Sequence, residues 1–175
     1  MNGPSAVQRA LRRMALFPGR GGTYAAHMPI RPFSPGDRTA CLALFDSNLP
    51  QFFAPHERAE FGTWLHDPGE YFVLEDGGQV VACGGVWLDP QNSERPAGLS
   101  WGMVARDAHR RGYGSALLHF RLERLRALGA AEVHLDTSQH SAPFFTRFGF
   151  QEVWRVPDGY GPGLDRVDMV ARLAR

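Results

Sequence analysis

The stretch Trp101-Gly-Met-Val-Ala-Arg-Asp-Ala-His-Arg-Arg-Gly-Tyr-Gly-Ser-Ala-Leu-Leu118 constrains this chain more than any other. A run of strand character gives way to a polar loop. Gly112 and Gly114 then open an amphipathic helix reaching about Leu128, with Leu118, Leu122 and Leu125 on one face and His119, Glu123 and Arg126 outside it. Gly129 stands where a left-handed residue ends a helix. The first amides of a helix have no acceptor within it, and its dipole adds positive charge there, so the loop suits an anion such as phosphate. Two well-known phosphate loops are excluded. No Gly-Lys-Ser/Thr follows, and the third glycine and later acid of the dinucleotide fingerprint are missing. Alone, Gly-x-Gly is also the signature of a simple tight turn.

The rest of the chain supplies a sheet for this unit. Ile30 to Phe33 reads as a short strand, and Ser34-Pro35-Gly36-Asp37 combines an N-cap serine, a proline at the first helical position and an acid in the first turn. The helix that starts there carries Ala40, Cys41, Leu44 and Phe45 at helical spacing and ends near Asn48 and Pro50. A second follows Pro55, with Ala59, Phe61, Trp64 and Leu65 available to pack. Tyr71–Leu74 and Gln79–Leu88 form a hairpin about Asp76-Gly77-Gly78. Gly84-Gly85 inside the second strand signals a bulge or the close approach of another backbone. Leu99–Val104 is a third sheet element, Val133–Thr137 another strand, Pro143–Phe148 a short helix and Gln151–Val156 a further strand. After a Pro-Asp-Gly-Tyr-Gly-Pro-Gly loop, Arg166–Leu173 closes the sheet. The order βααβββαβαββ predicts an α/β fold with a mixed, mostly antiparallel sheet flanked by helices.

Composition sets the outer bounds. The 175 residues, 43% of them hydrophobic and 11% aromatic, suffice for one domain with its own core. A formal charge of +1, from 19 basic and 18 acidic groups, gives no global reason to seek nucleic acid or an anionic membrane. Cys41 and Cys83 match no metal-ligand spacing and fit a reduced, cytoplasmic protein. Residues 1–27, with Arg9, Arg12, Arg13, Arg20 and no acid, read as an Arg-rich extension outside the domain of residues 28–175.

The segment Arg110-Arg-Gly-Tyr-Gly-Ser-Ala-Leu-Leu118, followed by Phe144-Phe-Thr-Arg-Phe-Gly-Phe150, resembles the acyl-CoA-binding core of the GNAT superfamily of N-acetyltransferases. The first part is similar to that family's (Q/R)xxGx(G/A), the second to its (F/L)YxxxGF, and the element order is the family's own. The resemblance implies acetyl-CoA as co-substrate, no metal, and a small-molecule or peptide amine as acceptor, without nucleic acid or membrane. A homodimer through an exposed edge strand near the C-terminus is a further expectation. By position, Met103 and Val104 face the pantetheine. His109, Arg110, Arg111, Gly112, Tyr113, Gly114 and Ser115 wrap the pyrophosphate, and Phe144 and Phe145 line the far wall of the thioester channel. The strands Leu99–Val104 and Val133–Thr137 splay apart around the thioester.

Two departures stand out. His109 takes a slot usually held by Gln or Arg, which implies a retuned phosphate contact. Phe145 stands where many members carry the Tyr proposed to protonate the leaving thiolate, and a phenyl ring has no proton to give. Ser138 and His140, just after the strand, are the candidates for proton transfer, with Glu75 and Glu94 weaker ones. His134 reads as outward or structural. Phe52, Phe53, His56, Trp64, Trp87 and Tyr160 are available to wall an acceptor pocket, Tyr160 from a mobile glycine-rich loop. A CoA-binding or sensing module that kept the fold without turnover is the rival reading. A nucleic-acid role for the N-terminal arginines needs a basic face that the remaining chain does not show.

Overall fold

The computed structural model describes residues 29–173, so the expectation for residues 1–27 lies outside it. The elements run β1 (Ile30–Pro32), α1 (Arg38–Ser47), α2 (Glu57–Trp64), β2 (Glu70–Asp76), β3 (Gln79–Leu88), β4 (Ala97–Val104), α3 (Tyr113–Ala127), β5 (Glu132–Thr137), α4 (Ala142–Thr146), β6 (Gln151–Gly161) and β7 (Leu164–Arg172). This is the order expected from the sequence. The strands make one sheet, β1-β2-β3-β4-β5-β7-β6, in which every neighbouring pair is antiparallel except β4 and β5.

Each face of the sheet has its own core. Leu118, Leu122 and Leu125 of α3 pack on Phe72, Val86, Leu99, Val133, Leu135 and Met169. On the opposite face Cys41 and Phe45 of α1, with Phe61 of α2 and the following Leu65, pack on Tyr71, Val73, Cys83 and Met103. Burial of side chains this size contributes about 1.5–3 kcal/mol each. Both cysteines are free and buried. No described helix is long and apolar enough to cross a membrane.

Three local expectations need correction. The Ser34-Pro35-Gly36-Asp37 signal makes a 3-10 turn first, and α1 starts after it. Asp37 accepts hydrogen bonds from the Ser34 amide at 2.8 Å and hydroxyl at 2.9 Å while pairing with Arg31 at 2.7 Å, which anchors the turn. Ala59 is exposed, because α2 turns Phe61 inward and leaves Ala59 on the outer side. Pro157-Asp-Gly-Tyr-Gly161 is not a loop. It extends β6 as far as Gly161, because Gly161 and Gly163, both at positive φ, make the reversal into β7. At the sheet edge, β6 exposes Val153, Trp154 and Val156.

Candidate active site

The central feature is a parting of strands. Between β4 and β5 only Gly98 and His134 pair; beyond them the two strands diverge. Gly98 is required at that contact, since a Cβ there would lie 2.5 Å from the His134 carbonyl oxygen and 2.4 Å from the Trp87 ring. Further along β4, Cys83 pairs with Met103 but Gly85 pairs with Ser100, so Gly84 faces both Trp101 and Gly102. This is a β-bulge, with Trp101 held at φ 41°, and a bulge bends its strand.

Two side chains hold the bulge. The buried Tyr71 hydroxyl donates to the Trp101 carbonyl at 2.8 Å. From α3, the buried Arg121 guanidinium donates through Nε and Nη2 to the Gly85 carbonyl at 2.9 and 2.7 Å, and through Nη2 to the Ser100 carbonyl at 2.9 Å. Burial lowers the Arg121 pKa to about 10, so it remains charged at neutral pH. Gly84-Gly85 therefore marks a bulge, as expected, with Arg121 close to Gly84, and the Glu70 backbone carbonyl, Tyr71 and Ser100 close to Gly85. A Cβ on Gly84 would lie 2.9 Å from Arg121 Cζ, and one on Gly102 2.5 Å from Nη1.

The mouth of α3 opens beside the end of β4. Arg110 and Gly112 are both left-handed, at φ 63° and 89°. The Ala116 amide is satisfied by the Gly112 carbonyl at 3.0 Å, which leaves Tyr113, Gly114 and Ser115 with the free first-turn amides. A Cβ built on Gly114 would sit 3.5 Å from both Phe144 and Val104, so the two sequence motifs meet here. Arg110, Arg111 and Gly112 are exposed. Beside them lies a pocket of about 480 Å³ lined by Gln51, Phe52, Arg106, His109 and Arg110, a basic surface suited to phosphate. The Tyr113 side chain faces away from this opening. It is buried, and its hydroxyl donates to Asp76.

The other residues singled out in the sequence divide by position. The Ala105 amide donates to the Val81 carbonyl at 2.8 Å. Strand alternation then turns the polar backbone groups of Val104 into the gap and those of Met103 toward β3. The Val104 carbonyl already accepts from Asn48 Nδ2 at 2.8 Å and from His109 Nε2 at 3.0 Å, so its amide is the group left facing the gap. His109 thus folds back on β4, and Phe52 meets its ring edge-on at 5.4 Å. Phe144 and Phe145 are half-buried, 5.1 Å apart edge to face, and Phe145 also meets Phe150.

Ser138 is buried, and its hydroxyl has no partner within the described residues. Gln139 clamps the β6–β7 hairpin through Gly163 and Asp165. His140 is exposed, 6.3 Å from the Phe52 ring. His134 pairs with Glu132 at 2.8 Å, the structural role expected of it. Glu75 is held by Arg31 near the end of β2, and Glu94 is exposed in the β3–β4 loop, so neither reaches the gap. Phe53 and Trp64 belong to an aromatic core with Trp101, and Trp64, together with Trp87, Gly69 and Leu88, also lines a separate pocket of about 570 Å³.

Tyr160 sits in strand β6 and not in a loop, and donates to Asp136 Oδ2 at 2.6 Å. Its hydroxyl pKa is pushed up by burial and by the Asp136 charge. Arg121, Asp136 and Glu57 were not singled out in the sequence. A signal existed for Arg121, which falls on the Leu118–Leu122–Leu125 stripe. None existed for the other two, whose surroundings are assembled only by tertiary packing.

The central strands thus part beside a helix mouth whose free amides suit an anion. The family model of the acetyltransferase (GNAT) family matches residues 40–150, well over half of the chain, and the chain belongs to that family. No curated protein sequence matches it. Among solved structures, Ard1 of Thermoplasma volcanium shares 21% identity at a TM-score of 0.69, covering 85% of this chain and 99% of that one. The ribosomal-protein-S18-alanine N-acetyltransferase of Escherichia coli shares 20% at 0.68, covering 85% and 96%. The N-acetylglutamate synthase of Neisseria gonorrhoeae, solved with coenzyme A and N-acetyl-glutamate, shares 18% at 0.66, covering 86% of this chain and 36% of that one. At such identities these likenesses show a common fold.

Proposed function

We propose that the chain is an N-acetyltransferase that moves an acetyl group from acetyl-CoA to a primary amine by direct attack in a ternary complex. The observation that carries this reading is the divergence of β4 and β5 past Gly98 and His134, beside the free first-turn amides of α3. The amides of Gly112, Tyr113, Gly114 and Ser115, with Arg110 and Arg111, would hold the pyrophosphate. The Val104 amide would face the pantetheine, and Phe144 and Phe145 would exclude water on the α4 side.

A thioester supplies an activated acetyl group and a fair leaving group at neutral pH. The protein's tasks are therefore to align the amine, polarise the carbonyl and take up a proton. The unpartnered Ser138 hydroxyl supports a polar contact at this gap. Exposed Val153, Trp154 and Val156 on β6 support pairing of two copies through that edge.

One observation favours a second reading, a CoA-binding module without turnover. Phe145 is packed against Phe144 and Phe150 where a phenolic acid is usual. The test is calorimetric titration with coenzyme A together with thiol release from acetyl-CoA over a panel of amines. Binding with amine-dependent release supports the transferase. Binding with no release supports the module, and no binding refutes both.

A further inference from the structure

Opposite the α3 mouth, across the gap, three segments converge. The α1–α2 loop touches the β6–β7 hairpin, a Cβ built on Gly161 falling 4.0 Å from that of Ala54. Asp136, two residues past the last β4–β5 pair, is bound there by Tyr160. At the start of α2 stands Glu57, only 8% exposed. One of its oxygens accepts the Ala54 amide at 2.6 Å, and no hydrogen bond to the other is made within the described residues. Ser138, in the turn just after β5, is 2% exposed with an unpartnered hydroxyl. A carboxylate largely withdrawn from water and held by a single amide is costly, and such groups cluster at functional sites.

We propose that Glu57 is the base that takes a proton from the acceptor's ammonium group, with Asp136, fixed by Tyr160, as the second carboxylate that positions that ammonium. The inference rests on the acetyl-transfer reading. α1 and α2 cover one face of the sheet and α3 the other, so an amine entering beside α2 approaches the gap from the side opposite the helix mouth. The Glu57 carboxylate accepts one proton from the ammonium. The freed nitrogen lone pair forms the C–N bond to the acetyl carbon, and the C–S bond breaks with its electron pair on sulfur. The second nitrogen proton is lost as the amide forms, and the thiolate takes up one proton. The sum is one amide, one thiol and one proton released to solvent.

Burial raises the Glu57 carboxyl above the ordinary carboxylate range. His56 opposes this, while Glu60 on its own helix and Asp136 on β5 add to it. Tyr160 of β6 lies near Glu57, while Arg95 of the β3–β4 loop, 3.7 Å from Asp136, and Arg166 of β7, bound to Asp168, face Asp136.

Glu57→Gln tests this cleanly, because the glutamine carbonyl oxygen still accepts the Ala54 amide and keeps the helix start. The full chain is assayed with acetyl-CoA and, as probe amines, alaninamide, an alanyl peptide and benzylamine. The expected result is a fall in kcat/KM of about 100-fold or more at pH 7. The acid-side limb of the pH profile that belongs to Glu57 should disappear, with coenzyme A affinity and thermal midpoint unchanged. Tyr160→Phe, which frees Asp136, should raise the amine KM several-fold with a smaller effect on kcat. Wild type and Glu57→Gln with the same kcat/KM and the same acid limb overturn the inference and leave the transferase reading standing, as does loss of that limb in His140→Gln alone. A wild-type chain that binds coenzyme A but transfers to no probe amine overturns both.

Discussion

Replacement of Gly112 by valine separates the fold from the anion site. Gly112 precedes α3 with φ 89° and ψ −7°, and a Cβ built there meets nothing within 4 Å. The cost is therefore in the backbone and not in packing. A left-handed conformation costs an ordinary residue about 1–2 kcal/mol, and a β-branched one more. At about 2–4 °C per kcal/mol in a domain of this size, the thermal midpoint should fall by roughly 2–8 °C and the fold should survive. Valine escapes the strain if the loop rotates toward right-handed values, which turns the amides of Tyr113 and Gly114 away from the mouth. Two hydrogen bonds to a charged group are worth about 1.5–3 kcal/mol each, so coenzyme A affinity should fall about 10²- to 10⁴-fold. Gly112→Asn, a residue that tolerates the left-handed region, should lose far less. Titration calorimetry with coenzyme A, beside a thermal melt of each variant, reads both quantities. A valine variant with the expected drop in midpoint but unchanged affinity would refute the assignment of these amides to the phosphate.

Other consequences follow from the same geometry. Arg121→Ala strands the Gly85 and Ser100 carbonyls in the core and should destabilise the protein by about 3–5 kcal/mol in urea unfolding. Gly102→Ala, which drives a methyl into Arg121 Nη1, should cost about 1–3 kcal/mol. Phe145→Tyr should raise kcat if protonation of the thiolate limits turnover, and a flat result would place that proton source elsewhere. Asp37, hydrogen-bonded by Arg31 and Ser34, has its pKa lowered from 3.8 to about 2. Its contribution, about 1–2 kcal/mol, is present above pH 4 and lost as pH falls from about 4 to 2. Asp37→Asn should therefore be less stable than wild type at pH 7 and converge with it near pH 2, as followed by unfolding titrations.

Much of the fold was legible because it rests on local chemistry. The apolar stripe of α3, its opening glycines, the Gly129 cap and the Asp76-Gly77-Gly78 turn each fix a stretch of backbone with few distant partners. What escaped was set at a distance. A glycine pair says that something comes close but not what, and here it is the Arg121 guanidinium at Gly84 and Ser100, Tyr71 and the Glu70 carbonyl at Gly85. The Pro157–Gly161 run has the composition of a loop yet continues β6 as an irregular bulge, between the Val156–Arg166 and Gly161–Leu164 pairs with β7. Of the site, the α3 mouth could be read because its donors are main-chain amides whose position follows from the helix start alone. Glu57 and Asp136 could not be read, since a carboxylate's significance lies in its burial and its company. Those depend on three segments far apart in the chain.

Where coenzyme A binds decides the rest, and a crystal structure of the chain with coenzyme A measures that directly. The pyrophosphate oxygens should accept hydrogen bonds from the amides of Gly112, Tyr113, Gly114 and Ser115, with the pantetheine arm lying between β4 and β5 beside the Val104 amide. Coenzyme bound elsewhere on the surface, or β4 and β5 closed together past His134 with the arm excluded, would contradict it.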